Sequence, residues 1–294
     1  VASIPSNPIP TGTDRFGNTI QYNEAQVRAI QLIASGQSCV VIGAAGTGKT
    51  TIQKGSTQAL IANGSLGRLN AEHRHLNKES YGIAICAYTR RATNNIRKNL
   101  SSDLQQSCLT IHKLLEYQPV EETVVDPNTG KEKTTKPFRP MRNAENPLPE
   151  SLSVIVIEEA SMVSLELFNE LLAACPHNPQ LVFLGDIQQL PPVFGSAILG
   201  YKMLELPVVE LTEVYRQALE SPILSLAHRI LSGKPIDKAG LKEMSVKGKL
   251  TLHPWVKRIA ADSATITLAK FYIRELDTGK YNPETDGILI PFNK

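Results

Sequence analysis

Apolar and polar positions fall into two alternating patterns along the chain. Short continuous apolar runs occur at Cys39–Ile42, Ile83–Ala87, Val154–Ile157, Leu181–Leu184, Val208–Leu211 and Ile288–Ile290. They are rich in Val and Ile and nearly free of polar residues, as strands covered on both faces should be. Between them lie stretches with helical spacing. Glu24–Ala34 carries Val27, Ile30 and Ile33, and Thr89–Leu100 carries Ala92, Ile96 and Leu100. Val163–Cys175 carries Val163, Leu167, Phe168, Leu171 and Leu172, with Ser164 placed as an N-cap. Strand and helix in alternation predict an α/β fold with a mainly parallel sheet.

The stretch Gln118–Glu150 breaks this alternation. It is rich in proline and charge and has almost no apolar periodicity. Within it, Thr123–Val125, then Asp126-Pro127-Asn128-Thr129-Gly130, then Lys131–Thr135 reads as a β-hairpin or as a surface loop. Pro presets the turn, Asn tolerates a left-handed backbone and Gly closes it. The outgoing arm carries Lys131, Lys133, Lys136, Arg139 and Arg142 against Glu132 and reads as basic. After about Pro222 the pattern becomes helix, short strand, helix, strand, which reads as the opening of a second domain.

Charge changes this picture little. Lys and Arg number 31 against 28 Asp and Glu, so the net charge of +3 excludes a disordered polycation that holds nucleic acid by charge alone. A local basic stripe is still compatible with that total. The 41% hydrophobic fraction is ordinary for a globular protein. No apolar run approaches the roughly 18 residues of a membrane span. The opening Val1–Asp14 has neither the charged nor the apolar region of a signal peptide, and residues 1–20 read as a flexible N-terminal segment. Cys39, Cys86, Cys108 and Cys175 show no metal-ligand spacing. They read as buried thiols in a reducing, cytoplasmic setting.

The candidate chemistry begins at Gly43-Ala44-Ala45-Gly46-Thr47-Gly48-Lys49-Thr50, which matches G-x-x-x-x-G-K-[ST] between a strand and a helix starting at Lys49. Glycines let backbone N–H groups turn inward around phosphate oxygens, and the helix N-terminus adds partial positive charge. Lys49 would reach the β- and γ-phosphates and the Thr50 hydroxyl would bind Mg²⁺. With Thr51 these residues form the expected site for a nucleoside triphosphate. A second buried strand, Val154–Ile157, runs straight into Glu158 and Glu159. In such sites the first acid holds Mg²⁺ through water and the second accepts a proton from the attacking water. An Asp is usual at the first place, so Glu158 is a departure.

Further segments carry a resemblance. Gln26 stands 17 residues before the phosphate loop. Ala87-Tyr88-Thr89-Arg90-Arg91-Ala92-Thr93 and Thr110-Ile111-His112-Lys113-Leu114-Leu115 follow. Ser161-Met162 comes after the acids, Gly185-Asp186-Ile187-Gln188-Gln189-Leu190-Pro191-Pro192-Val193 comes next, and then Leu211-Thr212-Glu213-Val214-Tyr215-Arg216-Gln217. In this order they resemble the superfamily 1B DNA helicases of the RecD- and Dda-like type, from about Tyr22 to Lys294 apart from the hairpin insertion and the stretch Asn63–Glu79. Tyr88 stands where proline is commoner.

The resemblance implies an ATP- and Mg²⁺-dependent helicase moving 5′→3′ on single-stranded DNA. Gln26 would read adenine, Gln189 would touch the γ-phosphate, Asp186 would lie near metal and water, and Arg216 would sense the γ-phosphate. Tyr88, Thr89, Arg90, Arg91, Thr110, His112 and Lys113 would contact the strand through hydroxyls, amides and rings. The implied partners are single-stranded DNA and single-/double-strand junctions, with a single-strand-binding or replication protein as a further candidate. The implied domains are a RecA-like motor lobe over 21–220, with 118–150 inserted, and the start of a second lobe over 221–294. Val120–Arg139 would be a pin that parts the duplex. On this expectation the segment binds nucleotide but hydrolyses it poorly. An RNA helicase and a nucleotide-gated binding module with little turnover are the alternatives.

Overall fold

The computed structural model describes residues 19–62, 82–100, 104–125, 132–213, 222–233, 270, 273, 274, 276–279 and 282. The chain divides into two compact units, Val1–Leu219 and Glu220–Lys294. In the second unit the described helix is Pro222–Leu231. The expected strand Ile288–Ile290 and the closing Pro291–Lys294 lie outside the described residues.

The first unit is built on six strands in the order β10-β1-β9-β8-β2-β3. These are β1 (Cys39–Gly43), β2 (Ile83–Ala87), β3 (Cys108–Thr110), β8 (Val154–Glu158), β9 (Gln180–Gly185) and β10 (Val208–Leu211). Every pairing in this sheet is parallel. β3 is the strand that the apolar pattern did not reveal, because three residues are too few to display a period.

Parallel strands force helical crossovers onto both faces, and the strand residues sort accordingly. Cys39, Val41, Ile83, Ile85, Val154, Val156, Val182 and Leu184 point to one core, with α1 (Glu24–Ala34), α2 (Lys49–Ala62) and α3 (Arg90–Arg97) over them. Val40, Ile42, Ala84, Cys86, Ile155, Ile157 and Phe183 point to the other, beneath α4 (Ile111–Leu114), α5 (Leu165–Ala173) and α6 (Ile198–Glu205). The period-two alternation is therefore present, but both phases are apolar. The four cysteines are free and buried in these cores, and burial pushes the thiols of Cys39 and Cys108 up to about 12 and about 11.

Helix starts follow their caps. The Asn23 side chain accepts from the Gln26 N–H while Gln26 answers to the Asn23 N–H, a complete capping box for α1. Thr89 caps α3 and Ser164 caps α5. Between α4 and β8 the proline-rich insertion is a β-hairpin. β5 (Glu122–Val125) pairs antiparallel with β6 (Glu132–Thr135), above a stem in which β4 (Gln118–Pro119) pairs with β7 (Phe138–Arg139). Its turn, 126–131, lies outside the described residues. Among the described residues no helix is long and apolar enough to cross a membrane.

Phe183 stands at the centre of the second core, fully buried and 5.6 Å from the Phe168 ring of α5. Phe183→Ala is expected to cost about 3–5 kcal/mol of unfolding free energy, because the rigid sheet cannot close the cavity. Urea denaturation followed by circular dichroism checks this, and a loss below about 1 kcal/mol contradicts it.

Candidate functional site

The parallel register delivers all the candidate segments to the same edge of the sheet, the carboxyl ends of its strands. Gly43 at the end of β1 pairs with Leu211 of β10, and Ile42 pairs with Gly185 of β9. Ala87 at the end of β2 is opposite Glu158 of β8 on one side and Thr110 of β3 on the other. In open parallel sheets ligands bind along this edge.

At β1 the chain enters the phosphate loop. Gly46 and Gly48 have φ of +85° and +89°, a region that costs most other residues energy. Gly43 has a different reason. A Cβ there would lie 2.5 Å from Thr47 Oγ1 and 2.9 Å from Leu211 Cβ. Thr47 is buried and its hydroxyl donates to the Ala44 carbonyl at 2.8 Å. Lys49 Nζ donates to the carbonyls of Gly43 at 2.6 Å and Ala44 at 3.2 Å. Ala45, Gly46 and Thr50 are exposed, and Ala44, Gly48 and Thr51 half-buried.

Two strands away, β8 ends in Glu158, which is 7% exposed. Burial above all, and then the neighbouring Glu159, push its carboxyl up to about 8, while Lys49 pulls it back. Glu159 has φ 53° and ψ 41°, a left-handed conformation unusual for a residue with a Cβ. Glu158 Oε1, Glu159 Oε2 and Ser161 Oγ are buried without a hydrogen-bond partner. Asp186, 5% exposed at the end of β9, accepts from the Gln188 N–H. Gln189 is exposed, in a loop whose Ile187, Leu190, Val193 and Phe194 side chains are exposed as well.

Orphaned buried oxygens are what a hard cation or its water shell would satisfy. Among the described residues no group of three or more His, Cys, Asp and Glu side chains is placed to hold a metal. Mg²⁺ does not need such a cage, since it takes one or two carboxylates and fills its octahedron with phosphate and water oxygens. The donor set of Thr50, Glu158 and the neighbouring hydroxyl fits it.

On the other side of β8, β2 and β3 bring the two remaining segments together. The Tyr88 and His112 rings lie 5.6 Å apart, and His112 meets Tyr117 edge-on at 4.9 Å. Tyr117 donates through its hydroxyl to Glu170 of α5. Burial lowers the pKa of His112 and the charge of Glu170 opposes this. The Thr89 and Thr110 hydroxyls accept from Ala92 N–H and Lys113 N–H as helix caps, each at 3.1 Å. Each hydroxyl keeps its own proton to donate to a phosphate. Arg90, Arg91 and Lys113 are exposed beside them. Arg97 has a different role, since its guanidinium donates to the carbonyls of Gln105 and Cys108.

Three findings correct or extend the sequence reading. First, three cations of the outgoing arm, Lys136, Arg139 and Arg142, are paired with acids. Lys136 pairs with Glu121 at 2.6 Å, Arg139 forks onto Glu122 at 2.8 and 3.2 Å, and Arg142 is buried against Glu116 at 3.1 Å. The acids come from before the turn, so a count along one arm missed them. Second, the Gln26 amide is fully buried. Its oxygen accepts from the Asn23 N–H at 3.1 Å and its nitrogen donates to the Thr47 carbonyl at 3.1 Å. The glutamine expected to read adenine is bound to the phosphate loop itself. Third, Asn23 Nδ2 donates to Glu213 Oε2 at 3.0 Å, a contact across 190 positions. The sequence reading singled out neither Asn23 nor this contact of Glu213; the Asn-x-x-Gln spacing was the signal for the cap, and nothing local pointed to Glu213. Arg216 lies outside the described residues.

The sequence profile of the AAA domain matches residues 26–195. The chain is 29% identical over 214 residues to the ATP-dependent RecD2 DNA helicase of Deinococcus radiodurans, covering 72% of this chain and 24% of that protein. It is 29% identical over 201 residues to the ATP-dependent DNA helicase dda of Enterobacteria phage T4, covering 65% of this chain and 37% of that protein. The chain therefore spans less than two-fifths of either relative. Among solved structures, the Pif1 helicase of Candida albicans aligns with a TM-score of 0.49 at 19% identity, over 80% of this chain and 49% of that one.

The raised Glu158 carboxyl has a pH signature. Its pKa in the folded chain lies above the 4.5 of an ordinary glutamate, so the folded state binds the extra proton between 4.5 and about 8. This contribution to stability is complete below 4.5 and is lost as pH rises through about 8. Denaturation midpoints of the nucleotide-free protein are expected to fall across that window, and Glu158→Gln to flatten the fall. Identical pH profiles for the two proteins contradict the assignment.

Proposed function

The chain belongs to the AAA-domain family, as a P-loop NTPase of the superfamily 1B helicase-like type with a RecA-like α/β fold, and on that premise we propose that it is the nucleotide-hydrolysing motor lobe of an ATP-dependent DNA helicase. The observation that carries this reading is the sheet register. It sets the phosphate loop on β1, the paired acids on β8 and the Tyr88 and His112 segments on β2 and β3 along one edge. A nucleotide site and a strand site on one rigid sheet edge are what a translocating motor needs.

In this reading Lys49 leaves the carbonyls of Gly43 and Ala44 for the β- and γ-phosphates, where its charge offsets theirs. Thr50 and Glu158 would hold Mg²⁺, which would supply positive charge to offset that of the phosphate oxygens. Glu159 accepts the proton of the attacking water as the water oxygen bonds to the γ-phosphorus and the bond to the ADP oxygen breaks. Gln189 and Arg216 respond to the γ-phosphate. Asp186, buried at the end of β9, orients the turn that carries Gln189.

On the strand side, Arg90, Arg91 and Lys113 neutralise backbone phosphates, and the Thr89 and Thr110 hydroxyls donate to them. Tyr88 and His112 offer ring surface to sugars or bases, and the lowered pKa of His112 favours the neutral ring. DNA rather than RNA and 5′→3′ movement rest on the family resemblance. The hairpin Val120–Arg139 is assigned as the element that parts the duplex. With Lys136 and Arg139 paired to Glu121 and Glu122, its stem acts as a wedge.

Two experiments on the native gene product test this. Glu159→Gln is expected to leave ATP binding intact and to lower the turnover stimulated by single-stranded DNA by at least about 100-fold; retained turnover removes Glu159 as the base. Replacing Val120–Arg139 by a short Gly/Ser link is expected to spare that stimulated ATPase and abolish strand separation of a forked duplex. Survival of both activities refutes the wedge.

A further inference from the structure

Four hydrogen bonds connect the end of β10 to the tip of the phosphate loop. Asn23 Nδ2 donates to Glu213 Oε2 at 3.0 Å, and Asn23 Oδ1 accepts from Gln26 N–H at 2.9 Å. Gln26 Oε1 accepts from Asn23 N–H at 3.1 Å, and Gln26 Nε2 donates to the Thr47 carbonyl at 3.1 Å. Each amide orientation is dictated by its partners. A carboxylate and a carbonyl can only accept, and a backbone N–H can only donate, so neither Asn23 nor Gln26 can flip without breaking two bonds.

The far end of this chain of bonds bears on phosphate. In a trans peptide the carbonyl of one residue and the N–H of the next point in opposite directions. Holding the Thr47 carbonyl toward Gln26 therefore aims the Gly48 N–H the other way, toward the hollow of the loop. Gly48, with φ +89°, has no side chain to fix its peptide, and a restraint from outside the loop adds to the local bonds of Thr47 to the Ala44 carbonyl. Gln26, fully buried behind the loop, supplies it.

We propose that Asn23, Gln26 and Glu213 form a relay of positioning residues that sets the direction of the Gly48 N–H, so that Gln26 governs affinity for the phosphates and not only for the base. The relay rests on the nucleotide-site reading above. It also fixes the α1 N-terminus against Glu213, three positions before Arg216 in the sequence.

The probe is inorganic tripolyphosphate, which has the phosphates and no base, compared with ATP by titration calorimetry in Mg²⁺ on the native gene product. Gln26→Ala is expected to weaken both ligands by about five- to tenfold, the scale of one buried hydrogen bond. Asn23→Asp keeps the helix cap, since Asp caps as well as Asn, but faces Glu213 with a second carboxylate. It is expected to leave the melting temperature within a few degrees and to weaken tripolyphosphate by about two- to fivefold. Adding Glu213→Gln gives the Asp a donor again and should restore affinity to within about twofold. A purely structural role for Asn23 would not produce that rescue. If Gln26→Ala weakens ATP alone and Asn23→Asp binds tripolyphosphate like the unaltered protein, the relay is overturned and the nucleotide site stands. If the unaltered protein binds neither ligand, the nucleotide reading falls and the relay with it.

Discussion

Parallel pairing of strands buried on both faces is the constraint on which the rest of this structure depends. A parallel sheet requires each connection to cross over a face, and two covered faces require both phases of every strand to be apolar. The chain meets this with Val, Ile, Leu, Phe and Cys at successive positions, so that Cys39 and Val41 serve one core while Val40 and Ile42 serve the other. Functional groups have no room within such strands. They are displaced to the strand ends, and parallelism puts all the carboxyl ends on one edge. The phosphate loop, the acids, Asp186, Tyr88 and Thr110 are neighbours for that reason, although Gly43 and Asp186 are more than 140 positions apart.

The same packing explains the electrostatics of the edge. Glu158 is carried into the low-dielectric end of β8 because its strand is buried along its whole length. Its carboxyl is therefore raised, and its Oε1, with Glu159 Oε2 and Ser161 Oγ, lacks a partner. Orphaned buried oxygens cost about 1–3 kcal/mol each, and the left-handed backbone of Glu159 adds to that. A phosphate-bound cation with its water shell would satisfy the orphaned oxygens. Lys49 shows the complementary arrangement, its ammonium resting on two loop carbonyls that a phosphate would replace. The site is strained where a ligand would relax it.

Legibility from sequence followed the range of the interactions. The phosphate loop, the acids after β8, the helix Glu24–Ala34 and the cap Ser164 each depend on a few consecutive residues, and each was readable. The hairpin arms were half-readable: the local turn chemistry allowed a hairpin or a loop, and the cross-strand pairing of Glu122–Val125 with Glu132–Thr135 decides for the hairpin. β3 escaped because three residues hold no period. The hairpin's charge was misjudged for a different reason. Lys136 and Arg139 meet Glu121 and Glu122 only after the chain has reversed, and Arg142 finds Glu116 across the stem. Along the chain they form a basic arm; in space they form cross-strand pairs that stiffen the hairpin. The bond of Gln26 to Thr47 and that of Asn23 to Glu213 are also products of the fold.

Coupling between nucleotide and strand sites is then a question of distance along the edge. β1 and β2 are separated by β9 and β8, three strand spacings or about 14 Å. A direct side-chain contact across that gap is difficult, but β8 spans it. Its last residue, Glu158, is in register with Ala87, the last residue of β2, one position before Tyr88. Ala87 is in turn in register with Thr110, two positions before His112. Glu158 is thus joined to the base of both the Tyr88 and the His112 segments through backbone pairing. The left-handed Glu159 lies at the point where β8 leaves the sheet.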